Sequence, residues 1–284
     1  MSKKSKGILF IIISAFCFAL MNLFVRLSGD LPPMQKSFFR NFVALLFATI
    51  VLLRSEQKFQ FNRENLPQLI ARATLGTIGI LCNYYAVDHL VLSDASMLNK
   101  LSPFFAIIVS YFYLKEKVTP FQATAVVVAF IGALCIIKPG FSSLTTGPAL
   151  IGALGGLGAG AAYTMVRSLS LRGERGPFIV FFFSAFSCLV CLPYLLFAYH
   201  PMTWTQLILL LLAGLSAAGG QFAITAAYSN APAREISVFD YSQIIFAALL
   251  GFLFLQQIPD FLSVIGYIII CGTSIAMFFY NQKH

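Results

Sequence analysis

The stretch LSDASMLNKLSPFFAIIVSYFYL, residues 92–114, is apolar along most of its length yet carries Lys100 in its interior. Moving along the chain by 140 positions lays Lys100 on Asp240, inside a second apolar stretch, EISVFDYSQIIFAALLGFLFL, residues 235–255. The same shift lays Gly79 on Gly219, Phe121 on Phe261 and Gly132 on Gly272 without a gap. Each stretch is about as long as a helix must be to cross the hydrocarbon of a bilayer. Unlike charges at equivalent places in two such segments indicate a duplicated unit. Ionisable residues at membrane depth face a bundle interior, and paired repeats around such residues are a common architecture of secondary transporters.

Composition narrows the class. The chain has 284 residues, 59% hydrophobic and 10% charged, with a mean hydropathy of +0.85. A soluble domain carries about 25% charged residues, so a soluble globular reading is excluded. The net charge of +9 does not read as a nucleic-acid footprint, because the basic residues form no single stripe and sit in alternate loops. The six cysteines (17, 82, 135, 188, 191 and 271) all fall in apolar spans without metal-ligand or redox spacing, and read as small buried hydrophobes. No metal and no cofactor is expected. Lys3, Lys4 and Lys6 precede an apolar run with no small-residue cleavage site, so that run reads as a retained first span.

Ten segments reach membrane length: about 8–28, 34–53, 67–87, 92–114, 120–137, 149–170, 177–199, 205–228, 235–255 and 261–280. Breakers divide them, among them Pro32-Pro33, Lys138-Pro139-Gly140, Gly176-Pro177, His200-Pro201 and Pro232. With the N-terminus in the cytoplasm, Lys3, Lys4, Lys6, Arg54, Lys58, Arg63, Lys115, Lys117, Arg172, Arg175, Arg234 and Lys283 fall inside, against Lys36 and Lys138 at outer edges. That asymmetry places both termini in the cytoplasm. Residues 1–138 and 147–284 then hold five spans each. Five is odd, so the second unit inserts inverted, giving an all-α fold of ten transmembrane helices in two inverted five-helix repeats. Other landmarks recur: Pro33, Phe38, Phe39 and Phe42 as Pro177, Phe182, Phe183 and Phe186, and Arg26 as Arg167.

Phe38-Phe39-Arg40-Asn41-Phe42 in span 2, and the run from Ser102-Pro103-Phe104 through Leu114-Lys115-Glu116-Lys117-Val118-Thr119-Pro120, resemble the EamA-type ten-span family of the drug/metabolite transporter superfamily. Phe239-Asp240-Tyr241-Ser242 through Gly251-Phe252 and Ile258-Pro259 is similar to the corresponding end in the second half, with Gln256 where that family often has Glu. The resemblance implies a central cavity lined mainly by spans 1, 3, 4, 6, 8 and 9, with spans 5 and 10 peripheral. It implies carriage of a solute without specifying which.

Lys100 lies about 12 Å below the outer surface at 1.5 Å per residue. Two readings stand: its stem snorkels outward, or it sits in a polar pocket. Pro103 favours the pocket, because its ring expels the hydrogen bond to the Asn99 carbonyl and kinks the helix there. Asp240 shares a helix face with Ser237 and Gln243 and reads either as the partner of Arg167 or as a proton- or amine-binding group. Ideal helical rise puts Lys100 and Asp240 roughly 10 Å apart along the membrane normal, too far for a direct bridge. A zwitterion would span that gap, its carboxylate on Lys100 and its amine on Asp240. Ser14, Phe18, Asn22 and Arg26 form one stripe, from which Asn22 is taken as a cavity residue. Spans 3 and 8 offer Asn83, Tyr84 and Asp88, and Gln221, Thr225 and Tyr228; Tyr84, Tyr163 and Tyr241 can pack on a substrate and donate hydrogen bonds. Arg40 reads either as structural, held by carbonyls or by Asp94, or as a ligand contact. Tyr85 and Tyr228 read as interfacial, and Trp204 falls in a loop region. In span 6, Gly152, Gly156 and Gly160 make successive GxxxG steps that allow close packing or sliding.

These features predict a secondary carrier for a small polar or amphoteric metabolite, an amino acid or nucleoside-like compound, working by alternating access in a cell membrane. The substrate-binding set is Lys100, Asp240, Asn22, Asn83, Tyr84, Tyr163, Gln221, Tyr241 and Gln243, and the structural or gating set Arg40, Pro103, Gly156 and Gly160. The expected partners are a small-molecule substrate, the lipid bilayer and a second copy through the peripheral helices, with no nucleic acid. An exporter of amphiphilic drugs or a lipid-linked flippase on the same fold is the alternative. An intramembrane enzyme is disfavoured, because His89, His200 and His284 lie at ends or loops and no second deep carboxylate accompanies Asp240.

Overall fold

The structure is a computed structural model, which describes residues 3–115, 118–137, 143–230 and 237–283. The described residues form helices only: α1 (Lys3–Leu27), α2 (Pro33–Leu53), α3 (Leu66–His89), α4 (Leu92–Asn99), α5 (Ser102–Tyr113), α6 (Pro120–Ile137), α7 (Ser143–Leu171), α8 (Gly176–Phe197), α9 (Trp204–Asn230), α10 (Ser242–Leu255) and α11 (Phe261–Lys283). Two 3₁₀ turns, Arg63–Asn65 and Ser237–Tyr241, precede α3 and α10. Prolines open α2, α3, α5 and α8 in the first turn, where a missing N–H costs nothing.

Eight stretches are long and apolar enough to cross a membrane, counting α4 and α5 together as Leu92–Tyr113. They match expected spans; α3, which carries Arg72, Asn83 and Asp88, and the shorter Phe239–Leu255 lie outside that set. The protein is a multi-pass membrane protein, and many large apolar side chains point outward, Phe197, Leu196, Ile245, Phe261 and Ile268 each more than two-thirds exposed. In water such a surface would be unstable; in lipid it is the solvent-facing one.

Packing follows a regular scheme. α1 lies against α9 as α3 lies against α7; α5 lies against α7 as α10 lies against α1; α2 pairs with α8, and α6 with α11. The segments ending α5 and α10 both close on a residue in the left-handed region, Lys115 at φ 54° and Gln256 at φ 53°. Such a residue ends a helix by turning the chain away while its neighbours reach back to the last carbonyls; the Gln256 N–H bonds the Gly251 carbonyl.

The stretch 92–114 is not one kinked helix but two, broken at Lys100 and Leu101. Pro103 sits in the first turn of α5, so the Asn99 carbonyl has no N–H four residues on to receive. The break is held by short bonds instead, Lys100 N–H to Ser96 O at 3.1 Å and Leu101 N–H to Leu98 O at 3.2 Å. Helix α7 presses on it. A methyl group on Gly156 would stand 2.7 Å from the Leu98 carbonyl oxygen, and one on Gly160 2.5 Å from that of Ser102. The glycines of α7 therefore let its backbone meet the break directly.

Asp240 lies in the 3₁₀ turn before α10, so the second segment also leaves the α-helical path at its charge. Glu116, Lys117, Lys138, Pro139, Gly140, Pro232, Arg234 and His284 fall outside the described residues, as do the side chains of Lys3, Lys4, Arg167, Thr225, Tyr228, Ser237 and Lys283.

Candidate functional site

Lys100 Nζ lies 2.5 Å from Asp240 Oδ2, a direct ion pair between side chains only 9% and 17% exposed. The expectation that helical rise would hold them some 10 Å apart is wrong for a physical reason. Lys100 sits where the α-helix is interrupted and Asp240 in a 3₁₀ turn, so ideal α-helical rise does not measure their separation, and the lysine stem reaches across the remainder. Snorkelling is likewise overturned: the ammonium turns inward to the carboxylate. The Tyr241 hydroxyl donates to the Lys100 carbonyl oxygen at 3.2 Å and so ties the end of the 3₁₀ turn to the break.

The pair borders a central cavity of about 100 Å³. Around it stand Phe18, Met21 and Asn22 of α1, Arg72, Gly76, Gly79, Ile80, Asn83 and Tyr84 of α3, Asn99 and Lys100 at the break, and Ala159, Ala162 and Tyr163 of α7. Gln221 and Ile224 of α9, Asp240, and Gln243 of α10 complete that ring of six expected spans. Two further residues come from spans other than those six, Arg40 of α2 and Phe183 of α8.

Of the expected substrate-binding set, Lys100, Asp240, Asn22, Asn83, Tyr84, Tyr163, Gln221 and Gln243 all line this cavity. Tyr241 does not; its hydroxyl is spent on the break. Asp88 is also elsewhere, accepting two bonds from Lys36 at 2.6 and 2.7 Å. Lys36 is fully buried, so that pair fastens α2 to α3 instead of serving the cavity. Asn83 donates to Asn22 Oδ1 at 3.4 Å, and Asn22 to Ser96 Oγ at 3.4 Å, a chain of long bonds across α3, α1 and α4. Arg26, from the Asn22 stripe, donates to the Val87 carbonyl at 2.7 Å and is structural, while Ser14 bonds the Gly220 carbonyl at 2.9 Å. Tyr85 stacks on His89, 4.1 Å between centroids, away from the cavity. Trp204 opens α9 and is 80% exposed.

Arg40 lines the cavity, with Nη1 donating to Asn41 Oδ1 at 2.6 Å, while Asp94 accepts from the Tyr267 hydroxyl at 2.5 Å. Arg72 is the residue that sequence reasoning missed. It stands six residues into α3, near the polar 54–66 connector, where a basic residue reads as part of a charged loop end. Its signal was available: Arg72, Gly76, Gly79 and Asn83 step along one helix face at spacings of three and four. All four line the cavity.

A family model described as the EamA-like transporter family matches the chain twice, over residues 5–138 and 147–279. The chain belongs to the EamA-like transporter family. The family falls within the drug/metabolite transporter superfamily, and the protein is a membrane transporter. Among its EamA relatives, a protein named pseudopaline exporter CntI from Pseudomonas aeruginosa is 33% identical over 273 residues, 95% of each chain. Solute carrier family 35 member G1 of Homo sapiens is 26% identical over 283 residues, covering 95% of this chain and 78% of that one. A solved crystal structure superposes with a TM-score of 0.68 over 98% of both chains at 14% identity, so the fold is one already seen by experiment.

Proposed function

We propose that the protein is a secondary carrier that moves a small amphoteric metabolite, of amino-acid or nucleoside-like type, by alternating access. The observation that carries this reading is the Lys100–Asp240 pair, which joins a helix break to a 3₁₀ turn beside a cavity between the helices. Broken helices at mid-bundle supply loose carbonyls and charges without exposing them to lipid, which is what a polar solute needs. A site holding both signs of charge suits a solute that carries both and disfavours a purely apolar drug. The name of the Pseudomonas aeruginosa relative favours outward movement.

The architecture behind this reading is ten spans in two inverted five-span halves, 1–138 and 147–284, with both termini in the cytoplasm of a bacterial inner membrane. It is supported by the two family matches, by left-handed ends at Lys115 and Gln256, and by a packing scheme unchanged when the halves are exchanged. Under that exchange α1·α9 becomes α7·α3, α5·α7 becomes α10·α1, and α2·α8 and α6·α11 map onto themselves. Rocking one half on the other about the pair would open the cavity to each side in turn.

The test is flux in liposomes. Purified protein should carry labelled amphoteric metabolites down an imposed gradient, and Asp240→Asn should abolish the flux. Failure to move any solute across a broad metabolite panel would defeat the carrier reading.

A further inference from the structure

The cavity holds more positive charge than the Lys100–Asp240 pair uses. Arg40 and Arg72 also line it, so three cations face one carboxylate. Both arginines are more than nine-tenths buried, at 4% and 7% exposure. Neither meets a carboxylate among the described residues, and the Nε of each has no hydrogen-bond partner. What Arg72 does meet is an aromatic face, its guanidinium carbon 4.2 Å from the Phe183 centroid; the carbon of Arg40 lies 5.9 Å from the same ring. The Tyr84 hydroxyl, fully buried, is a third donor without a partner. Buried charges are retained where something compensates them, and among the described residues the two arginines meet an amide and an aromatic face but no anion.

The unmatched acceptors lie apart from these donors in chemistry. Asp240 keeps its Oδ1 free of any bond, and Asn83 its Oδ1. The cavity therefore offers orphan donors with net positive charge and orphan acceptors beside a carboxylate. Space for the guanidinium is built in. A methyl group at Gly76 would stand 2.2 Å from Arg72 Nη1 and 2.9 Å from Phe183 Cε2, so glycine at that place is what lets Arg72 lie over the ring.

We propose that Arg40, Arg72 and Tyr84 form an oxyanion subsite that takes the carboxylate or phosphate of the transported solute, with its amine received by Asp240 Oδ1 and Asn83 Oδ1. Three cations against one carboxylate around the cavity call for a solute with more anionic than cationic charge. This rests on the carrier reading in taking the same cavity as the solute site, and it moves the anion away from Lys100, whose ammonium is already engaged by Asp240. Guanidinium forks match planar carboxylates and phosphate oxygens, and the Phe183 face holds the fork flat.

The test is binding to the purified full-length protein in detergent, by calorimetry and thermal shift, with L-glutamate, O-phosphoethanolamine, L-glutamine and putrescine. L-glutamate or O-phosphoethanolamine should bind at least tenfold more tightly than L-glutamine, with putrescine weakest; which of the two anions leads tells carboxylate from phosphate. Arg72→Gln should weaken the leading anion at least tenfold, Arg72→Lys should restore part of the loss, and Gly76→Ala should weaken it by displacing the guanidinium. Binding led by L-glutamine or putrescine, binding of none of the four, or anion binding unchanged in both Arg72→Gln and Arg40→Gln overturns the proposal. Should a variant fail to fold, the ranking of the four probes on the wild type decides alone. Anion binding without flux in liposomes would sink the carrier reading and leave the subsite standing.

Discussion

Lys100 and Asp240 are 140 residues apart in the chain and 2.5 Å apart in space, the first at a helix break and the second in the 3₁₀ turn that opens α10. The pair is largely desolvated, so its two charges are held by each other more than by water. Removing one partner of such a pair strands the other, which costs far more than removing both.

Lys100→Met alone and Asp240→Leu alone should each destabilise the protein by about 3 kcal/mol, whereas the double variant should recover most of that loss. Solute flux should be lost in all three. Melting in detergent across this cycle reads the coupling directly. Additive single losses would mean that the two charges are solvated independently in the bilayer protein.

The break that carries Lys100 depends on how closely α7 approaches it. Gly160→Ala would place a methyl group 2.5 Å from the Ser102 carbonyl and 2.8 Å from Phe105 Cβ, neither of which can swing aside. Overpacking of this kind costs about 1–3 kcal/mol, and Gly156→Ala should behave alike. Gly272→Ala is the control, with nothing within 4 Å of the added methyl group, and should be near neutral or slightly stabilising. A Gly160→Ala protein that melts and transports like the Gly272→Ala protein would show that α7 is free to shift.

How much of this was legible in the sequence follows from which signals are local. Span positions were, because apolar length and breakers such as Pro32-Pro33 act within a few residues. Eight of nine expected binding residues line the cavity, because polar side chains on apolar helices turn inward, to a cavity or to a partner on another helix. The Lys100–Asp240 contact was not legible: its length depends on two local departures from helical rise, and only one, at Pro103, has a sequence mark. Arg72 was hidden by its neighbours, since a basic residue six positions into a helix after a charged connector looks like a loop end. The place of Arg40 needed the packing of α2 against α8 and the Phe183 ring, a relation between distant segments.

Asp94 lies in the first turn of α4, where a negative charge offsets the helix N-terminal dipole, and its Oδ1 accepts from Tyr267 on α11. The same hydroxyl lies 2.9 Å from Ser93 Oγ. Tyr267→Phe should cost about 1–3 kcal/mol by leaving a buried carboxylate short of a donor. Because α4 leads straight to Lys100, flux should fall as well, and a wild-type rate in Tyr267→Phe would uncouple the start of α4 from the site.

The connector between α2 and α3 is tied down from the second half of the chain. Arg175 Nη2 donates to the carbonyls of Lys58 at 2.8 Å and Gln60 at 2.7 Å, and Glu174 Oε2 accepts from Asn65 Nδ2 at 3.1 Å. One guanidinium thus holds a loop that contains Lys58 in the left-handed region, a backbone state that needs outside support in a non-glycine residue. Arg175→Ala should leave overall melting nearly unchanged, because the clamp is at the surface, yet raise trypsin cleavage after Lys58 by about tenfold, the equivalent of some 1.4 kcal/mol of local opening. Arg175→Lys should not rescue it, since one ammonium lacks the planar fork that serves several carbonyls. The proposed orientation, with the N-terminus in the cytoplasm, turns this connector to the cytoplasm, so the cut should appear in inverted vesicles and be silent in intact cells. An unchanged cleavage rate would remove the clamp, and cleavage from outside the cell would reverse the orientation that the basic residues assign.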